Sequence, residues 1–219
     1  MNRLLFEKSG DAVWMSHLDL MRVFQRAFKR AGLPLTHTQG FNPRPSVSIA
    51  MPLSVGVESV CELLDFDLEG EKVDCCEIAT RLNNALVKGV KVLECYESDK
   101  KIRELAYLKC SVSMEYDEGI PENAEQRIND LFSRDCLMVD KKSKNGMAEQ
   151  DIIPMIQSFF ITRDDDQTLR IIATVYCQNP SLNPMQLVAA IERYLPECKP
   201  DHAMCRRLEV YDTKEQVFR

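Results

Sequence analysis

The stretch from Ser16 to Pro34 constrains this chain most, because it carries signals for both ends of one amphipathic helix. Ser16 is a favoured N-cap, since its hydroxyl oxygen accepts a hydrogen bond from an otherwise unpaired first-turn N–H. Asp19, three residues later, takes the place of the glutamate in a capping box, and its charge suits the positive helix end. Gly32 fits the left-handed position after the last turn, and Pro34 prevents continuation. The sequence therefore predicts a helix between Ser16 and Gly32.

The two faces of this helix differ in chemistry. At 100° per residue, its apolar side chains project to one side and its basic side chains to the other. The apolar face comprises Leu20, Met21, Phe24, Ala27, Phe28 and Ala31, and the basic face comprises Arg22, Arg26, Lys29 and Arg30. Residues 1–60 hold seven basic and four acidic side chains, a balance of +3, although the whole chain carries −6. A basic face on an acidic protein predicts local contact with a polyanion, not general coating of nucleic acid.

After the helix, residues 36–45 place two prolines around one arginine. Each proline fixes its own φ and biases the residue before it toward extended geometry, so Asn42 and Arg44 are predicted to be extended. Phe41 and Arg44 are residue types that stack on a base and bind a phosphate. The alternative is a rigid turn that carries Phe41 into the core. On the first interpretation, the residues that bind RNA or a partner are Arg22, Arg26, Lys29, Arg30, Gln39, Phe41, Asn42 and Arg44.

Hydrophobic periodicity predicts the order of elements in the rest of the chain. Strand patterns fall at residues 2–8, 47–51, 62–68 and 90–96, with a second helix from 74 to about 87. With the first helix this is βαββαβ order, the ferredoxin-like unit. After a charged linker at 98–104, the pattern recurs with one extra hairpin strand. The predicted fold class is α+β: two ferredoxin-like units, at 1–98 and 107–219, each an antiparallel sheet covered by two helices.

Alternation also predicts which side chains of the first strand are buried. Leu4 and Phe6 are expected to face inward, and the charged Arg3 and Lys8 outward. In the second half, a basic and flexible tip is expected at residues 141–146.

Four runs of residues in the first half resemble one known family. They are Ser16–Arg22, Arg30–Pro34, Gln39–Pro43 and Pro52–Ser59, and the similarity covers about residues 3–68. The family is the radical-SAM-linked domain, a bacterial family of undefined function found fused to, or encoded beside, a B12-binding-type radical SAM protein. The resemblance implies a partnership with a radical SAM enzyme and a role in RNA modification. It implies no particular reaction.

The cysteines and the composition exclude several classes of protein. None of the nine cysteines forms a C-x-x-C pair or the C-x₃-C-x₂-C spacing of a radical SAM cluster, so this chain is not itself the radical enzyme. No export signal or membrane span is evident, which predicts a cytoplasmic protein with reduced thiols. A zinc site built from Cys198, His202 and Cys205 lacks a fourth ligand. We therefore expect neither a metal site nor a cofactor.

These observations favour one hypothesis about function and leave two alternatives. The favoured hypothesis is a non-catalytic accessory protein that binds structured RNA, tRNA or rRNA, and presents it to a radical SAM enzyme. Paired ferredoxin-like units with a basic cleft also resemble the RAMP superfamily of CRISPR repeat-processing endoribonucleases, some of which place a general-base histidine near the first helix. In that alternative, His17 deprotonates a ribose 2′-hydroxyl without a metal. The second alternative is a pure protein-interaction module whose 40–45 loop docks on the radical SAM enzyme.

Overall fold

The computed structural model describes residues 1–143 and 146–219, and these form two compact units. Unit 1 contains residues 1–102 together with Arg219, and unit 2 contains residues 103–218. Lys144 and Asn145, two residues of the expected basic tip, lie outside the described residues. Over the described ranges, no helix has the length and apolar character needed to cross a membrane.

Unit 1 has the βαββαβ order that the hydrophobic pattern predicts. Its elements are β1 (Asn2–Lys8), α1 (His17–Arg30), β2 (Val47–Ile49), β3 (Glu58–Phe66), α2 (Cys75–Ala85) and β4 (Val90–Glu97). A short 3₁₀ turn, Gly10–Trp14, leads into α1. The strands pair antiparallel in the order β4-β1-β3-β2, the arrangement of a ferredoxin-like unit.

Unit 2 repeats this topology with an insertion. Its elements are β5 (Leu105–Glu115), α3 (Ala124–Phe132), β6 (Met138–Ser143), β7 (Gly146–Asp151), β8 (Ile156–Arg163), β9 (Thr168–Tyr176), α4 (Met185–Tyr194) and β10 (His202–Asp212). Within the unit, four strands pair antiparallel in the order β10-β5-β9-β8. Where the sequence predicts one extra hairpin strand, the structure inserts β6 and β7, which pair with each other as a separate two-stranded hairpin. The predicted α+β class with ferredoxin-like units is confirmed.

The apolar face of α1 packs on the sheet of unit 1 as its periodicity predicts. Leu20, Phe24, Ala27 and Phe28 are buried, whereas Met21 and Ala31 at the edges of the face are half-buried. The Phe24 ring meets Phe6 of β1 edge-on, with centroids 4.7 Å apart. Aromatic pairs in this geometry contribute about 0.5–1.5 kcal/mol beyond the burial of their area.

Both ends of α1 carry the caps that the sequence indicates. The Ser16 hydroxyl oxygen accepts a 3.2 Å hydrogen bond from the Asp19 amide and donates to the Asp19 carboxylate at 2.7 Å. At the other end, the Leu33 amide donates to Phe28 at 2.9 Å and Gly32 has a φ of +65°, the geometry of a Schellman motif. This motif sets the direction in which the chain leaves the helix.

The expected exposure of Arg3 and Lys8 is wrong, because both side chains are fully buried. Arg3 forms an ion pair with Asp65 on the adjacent strand, and its Nε lies 2.6 Å from Oδ1. The Lys8 ammonium donates to the carbonyl oxygens of Val13 and Met15, at 3.0 and 2.9 Å. Alternation along a strand predicts the side of the sheet but says nothing of polar partners elsewhere in the chain.

Candidate nucleic-acid interface

The four basic residues predicted on α1 all lie on its exposed side, but they are not equally available. Arg22 forms an exposed ion pair with Asp19 at 2.9 Å, and Arg30 donates to the Ala85 carbonyl of α2 at 2.5 Å. Arg26 and Lys29 make no hydrogen bond or ion pair with any described residue. The centre of the basic face is therefore free to contact an anion.

Asp19 contacts both the N-cap of α1 and one residue of its basic face. A hydrogen bond from the Ser16 hydroxyl, followed by one from Arg22, lowers the pKa of the Asp19 carboxyl from its usual value. Asp19 is therefore ionised at neutral pH, where its charge suits the positive end of α1 and holds Arg22 beside the first turn.

Residues 36–46, hereafter the 36–46 loop, form a narrow hairpin-shaped projection. The Ser46 amide donates to Thr36 at 2.7 Å, and the Thr38 amide donates to Arg44 at 2.8 Å. The Arg44 amide in turn donates to the Thr38 hydroxyl at 3.0 Å. Both backbone polar groups of Arg44 are thus bonded within the loop. Its backbone is held in place while its guanidinium side chain remains exposed.

The tip of this loop presents the other predicted residues to solvent. Gln39, Phe41 and Asn42 are exposed, and the Phe41 side chain is fully accessible, so the alternative that carries it into the core is wrong. Gly40 adopts a φ of +141°, a conformation that L side chains rarely adopt. An accessible aromatic ring on a hydrogen-bonded loop can stack on a base without a large loss of backbone entropy.

A groove of about 440 Å³ lies between α1 and the base of the 36–46 loop. Gln25 and Lys29 of α1 contribute to one side, and His37 and Pro45 of the loop contribute to the other. It therefore adjoins both parts of the predicted binding surface, the basic helix and the proline-rich loop.

The groove also contains residues that the sequence did not predict as part of the site. Its lining includes the apolar Phe28, Leu33 and Leu35, and Glu69 lies with its Oε1 3.6 Å from the Nδ1 of His37. Gln25 was detectable, since it lies one helical turn before Lys29 on the same face. Glu69 was not, because it comes beside the loop through tertiary contacts such as the pairing of Leu35 with Leu68 and the hydrogen bond from the Glu69 amide to Pro34.

His17 is the first residue of α1, and its side chain is half-buried. Its Nδ1 is shielded from solvent and, among the described residues, meets no hydrogen-bond partner. A general base must reach the proton that it removes, so catalysis by His17 depends on its other nitrogen. The ribonuclease alternative stays a prediction.

The three residues considered for zinc do not form a metal site in this structure. Throughout the described ranges, no three side chains of His, Cys, Asp or Glu are arranged to hold a metal ion. Cys198 and Cys205 are both buried. Burial raises the pKa of the Cys198 thiol, as expected for a thiol that packs in an apolar environment.

The fold and this surface define an α+β protein with two ferredoxin-like units and an exposed basic helix beside a hydrogen-bonded loop. The chain belongs to the family described as "Uncharacterized protein conserved in bacteria (DUF2344)", whose profile matches residues 2–184. No curated protein matches the chain.

Two solved structures are similar to the chain at low sequence identity. One is a chain from the "Crystal Structure of a Cbf5-Nop10-Gar1 Complex", with 10% identity and a TM-score of 0.49. That match covers 95% of this chain and 48% of the other, so this chain spans about half the length of that relative. The second is an unknown protein from Galdieria sulphuraria, with 11% identity, a TM-score of 0.27 and coverage of 94% and 96%.

Proposed function

We propose that this protein is a non-catalytic accessory subunit that binds structured RNA, tRNA or rRNA, and presents it to a partner radical SAM enzyme. One observation carries the RNA part of the proposal. The 36–46 loop holds the backbone of Arg44 by hydrogen bonds while Phe41 and Arg44 remain exposed, and the base of this loop shares a groove with Lys29.

This combination matches the two kinds of contact that RNA recognition needs. Cationic side chains contact phosphates and position the protein, and aromatic or guanidinium planes stack on unpaired bases. Arg26 and Lys29 supply the first kind of contact, and Phe41 and Arg44 supply the second. The net charge of −6 disfavours binding to nucleic acid elsewhere on the surface, which keeps the contact local.

The partner enzyme is proposed from the resemblance of residues 3–68 to the radical-SAM-linked domain. In this proposal the iron–sulfur chemistry belongs to the partner, because the chain has no C-x₃-C-x₂-C spacing. The protein then supplies RNA binding and orientation, and the catalytic groups lie on the enzyme.

Filter binding of total tRNA at rising salt tests the RNA contact. If three phosphates are neutralised, affinity should fall about 20–40-fold between about 50 and 200 mM salt. Replacing Arg26 and Lys29 together with glutamine should weaken binding and reduce the salt slope by about 2. A matched control replaces the exposed Lys199 and Lys214 of unit 2 with glutamine, which removes the same charge and should leave the slope unchanged. Weak binding with no salt dependence would remove RNA from the proposal.

Two variants of Arg44 distinguish the contribution of its charge to RNA binding from the contribution of its planar guanidinium group. Because its side chain is exposed, Arg44→Ala should change the free energy of unfolding by no more than about 1 kcal/mol. The same variant should weaken RNA binding by about 1–3 kcal/mol. Arg44→Lys should recover only part of this lost binding free energy, since lysine keeps the charge but lacks the planar guanidinium group. Melting and tRNA-binding measurements on both variants test this. A large melting loss with unchanged binding would show that Arg44 is structural.

A further inference from the structure

We infer that the groove between α1 and the 36–46 loop binds the base of a single unpaired nucleotide. This inference rests on the proposed RNA binding and names the part of the RNA that is recognised. Three properties of the groove support it: its size, the chemistry of its lining and the position of its charges.

The size of the groove fits one nucleotide. Its volume of about 440 Å³ lies within the range of about 300–1,000 Å³ that is usual for small-ligand sites. A base that is stacked and paired within a duplex cannot enter a site of this size. A base that is bulged or flipped out can enter it without further unpairing, so the groove favours RNA with an unpaired residue.

The lining combines apolar contacts with hydrogen-bonding groups. The exposed Pro34 and the half-buried Pro45 supply the apolar part, against which the face of a base can lie. The Gln25 amide both donates and accepts hydrogen bonds, and the Glu69 carboxylate accepts them. An apolar peptide side chain in the same groove would cover these polar groups without pairing them, which carries an energetic cost. The polar edge of a nucleobase matches them better.

The charges around the groove fit the phosphates of such a nucleotide. Lys29 lines the groove, and Arg26 lies three residues before Lys29 on the exposed face of α1. Both are without an ion-pair partner among the described residues. The acidic group of the lining, Glu69, has His37 at 3.6 Å. A bound nucleotide can therefore place its base in the groove and its phosphates against the cations of the helix.

Three kinds of short RNA duplex test the inference. The first is fully paired, the second carries one bulged nucleotide (A, C, G and U in turn), and the third carries an abasic ribose phosphate at the bulge. The wild-type protein should bind at least one of the four bulged duplexes about tenfold more tightly than the paired and abasic duplexes. The abasic probe separates recognition of the base from recognition of a distorted backbone.

A groove-filling variant provides the second part of the experiment. Gln25→Trp places a large side chain in the groove from a half-buried helix position, so the tenfold preference for the bulged duplex should disappear. Gln126→Trp, on the exposed side of α3 in unit 2, is the matched control and should keep the preference. Circular dichroism and melting of both variants confirm that they are folded.

The outcomes distinguish this inference from the function on which it rests. Binding to all probes with a steep salt dependence but equal affinity would overturn the groove inference and leave RNA binding intact. Equal affinity for bulged and abasic duplexes, or a preference that survives Gln25→Trp, would also overturn it. Failure to bind any probe at low salt would contradict the proposed function itself.

Discussion

Replacing Asp65 with alanine is expected to lower the free energy of unfolding of unit 1 by about 3–5 kcal/mol. Asp65 is the cross-strand neighbour of Arg3, and its two carboxylate oxygens accept from the guanidinium at 2.6 and 3.1 Å. Arg3 is 0% exposed. Loss of the carboxylate would remove the acidic side chain that faces this buried guanidinium, which is strongly destabilising in a buried ion pair.

The Arg3 guanidinium also forms hydrogen bonds with the segment that follows β4. Its nitrogens donate to the Ser98 hydroxyl at 3.1 Å and to the Lys100 carbonyl at 2.9 Å. In Asp65→Ala, the Arg3 side chain can become solvated only if these two hydrogen bonds also break. The segment after β4 should therefore loosen in the same variant.

Hydrogen exchange of the β1 and β3 amides, combined with urea unfolding, measures this effect. Asp67→Ala is the matched control, because Asp67 lies two residues along and is exposed, and its change should stay within about 0.5 kcal/mol. A double variant, Arg3→Met with Asp65→Leu, should recover much of the loss, since apolar replacement of a buried pair is often neutral. If Asp65→Ala lowers the free energy of unfolding by less than about 1 kcal/mol, other groups stabilise the buried Arg3 charge and the prediction is wrong.

Replacing Lys8 with methionine is expected to lower the free energy of unfolding by about 3 kcal/mol and to change the position of Trp14. The Lys8 ammonium is 0% exposed and donates to the carbonyls of Val13 and Met15, the residues on either side of Trp14. Hydrogen bonds from charged groups contribute about 1.5–3 kcal/mol each. Methionine has similar length and apolar character but no donor, so both carbonyls would lose the ammonium.

Trp14 is the single tryptophan of the chain and is 69% exposed, which makes its fluorescence a direct reporter of this segment. In Lys8→Met, three readings should change: the emission of Trp14, the accessibility of its ring to a quencher, and the urea midpoint of unfolding. Lys91→Met on β4 is the control, because Lys91 is exposed and its replacement should leave both readings unchanged. An unaltered Trp14 signal in Lys8→Met would contradict the role assigned to the ammonium.

Local signals in the sequence determined α1 and the order of the elements in unit 1. The Ser16 cap and Gly32 are each read from neighbours a few residues away, and the structure has the bonds that they predict. The prolines on either side of Arg44 predict a restricted backbone there, and the structure adds hydrogen bonds between that backbone and Thr38. These features depend on hydrogen bonds and sterics within one or two turns of chain, so a single sequence carries enough information to predict them.

The tertiary structure alone decided the features that depend on distant partners. Arg3 is buried because Asp65, 62 residues later, lies opposite it on β3. The groove depends on the pairing of Leu35 with Leu68, which brings His37 beside Glu69. In unit 2, the strands β6 and β7 of the insertion pair with each other and form a separate sheet. Hydrophobic periodicity predicts which side of an element is inward. It does not predict which polar groups meet there, because that depends on strand register and chain reversal.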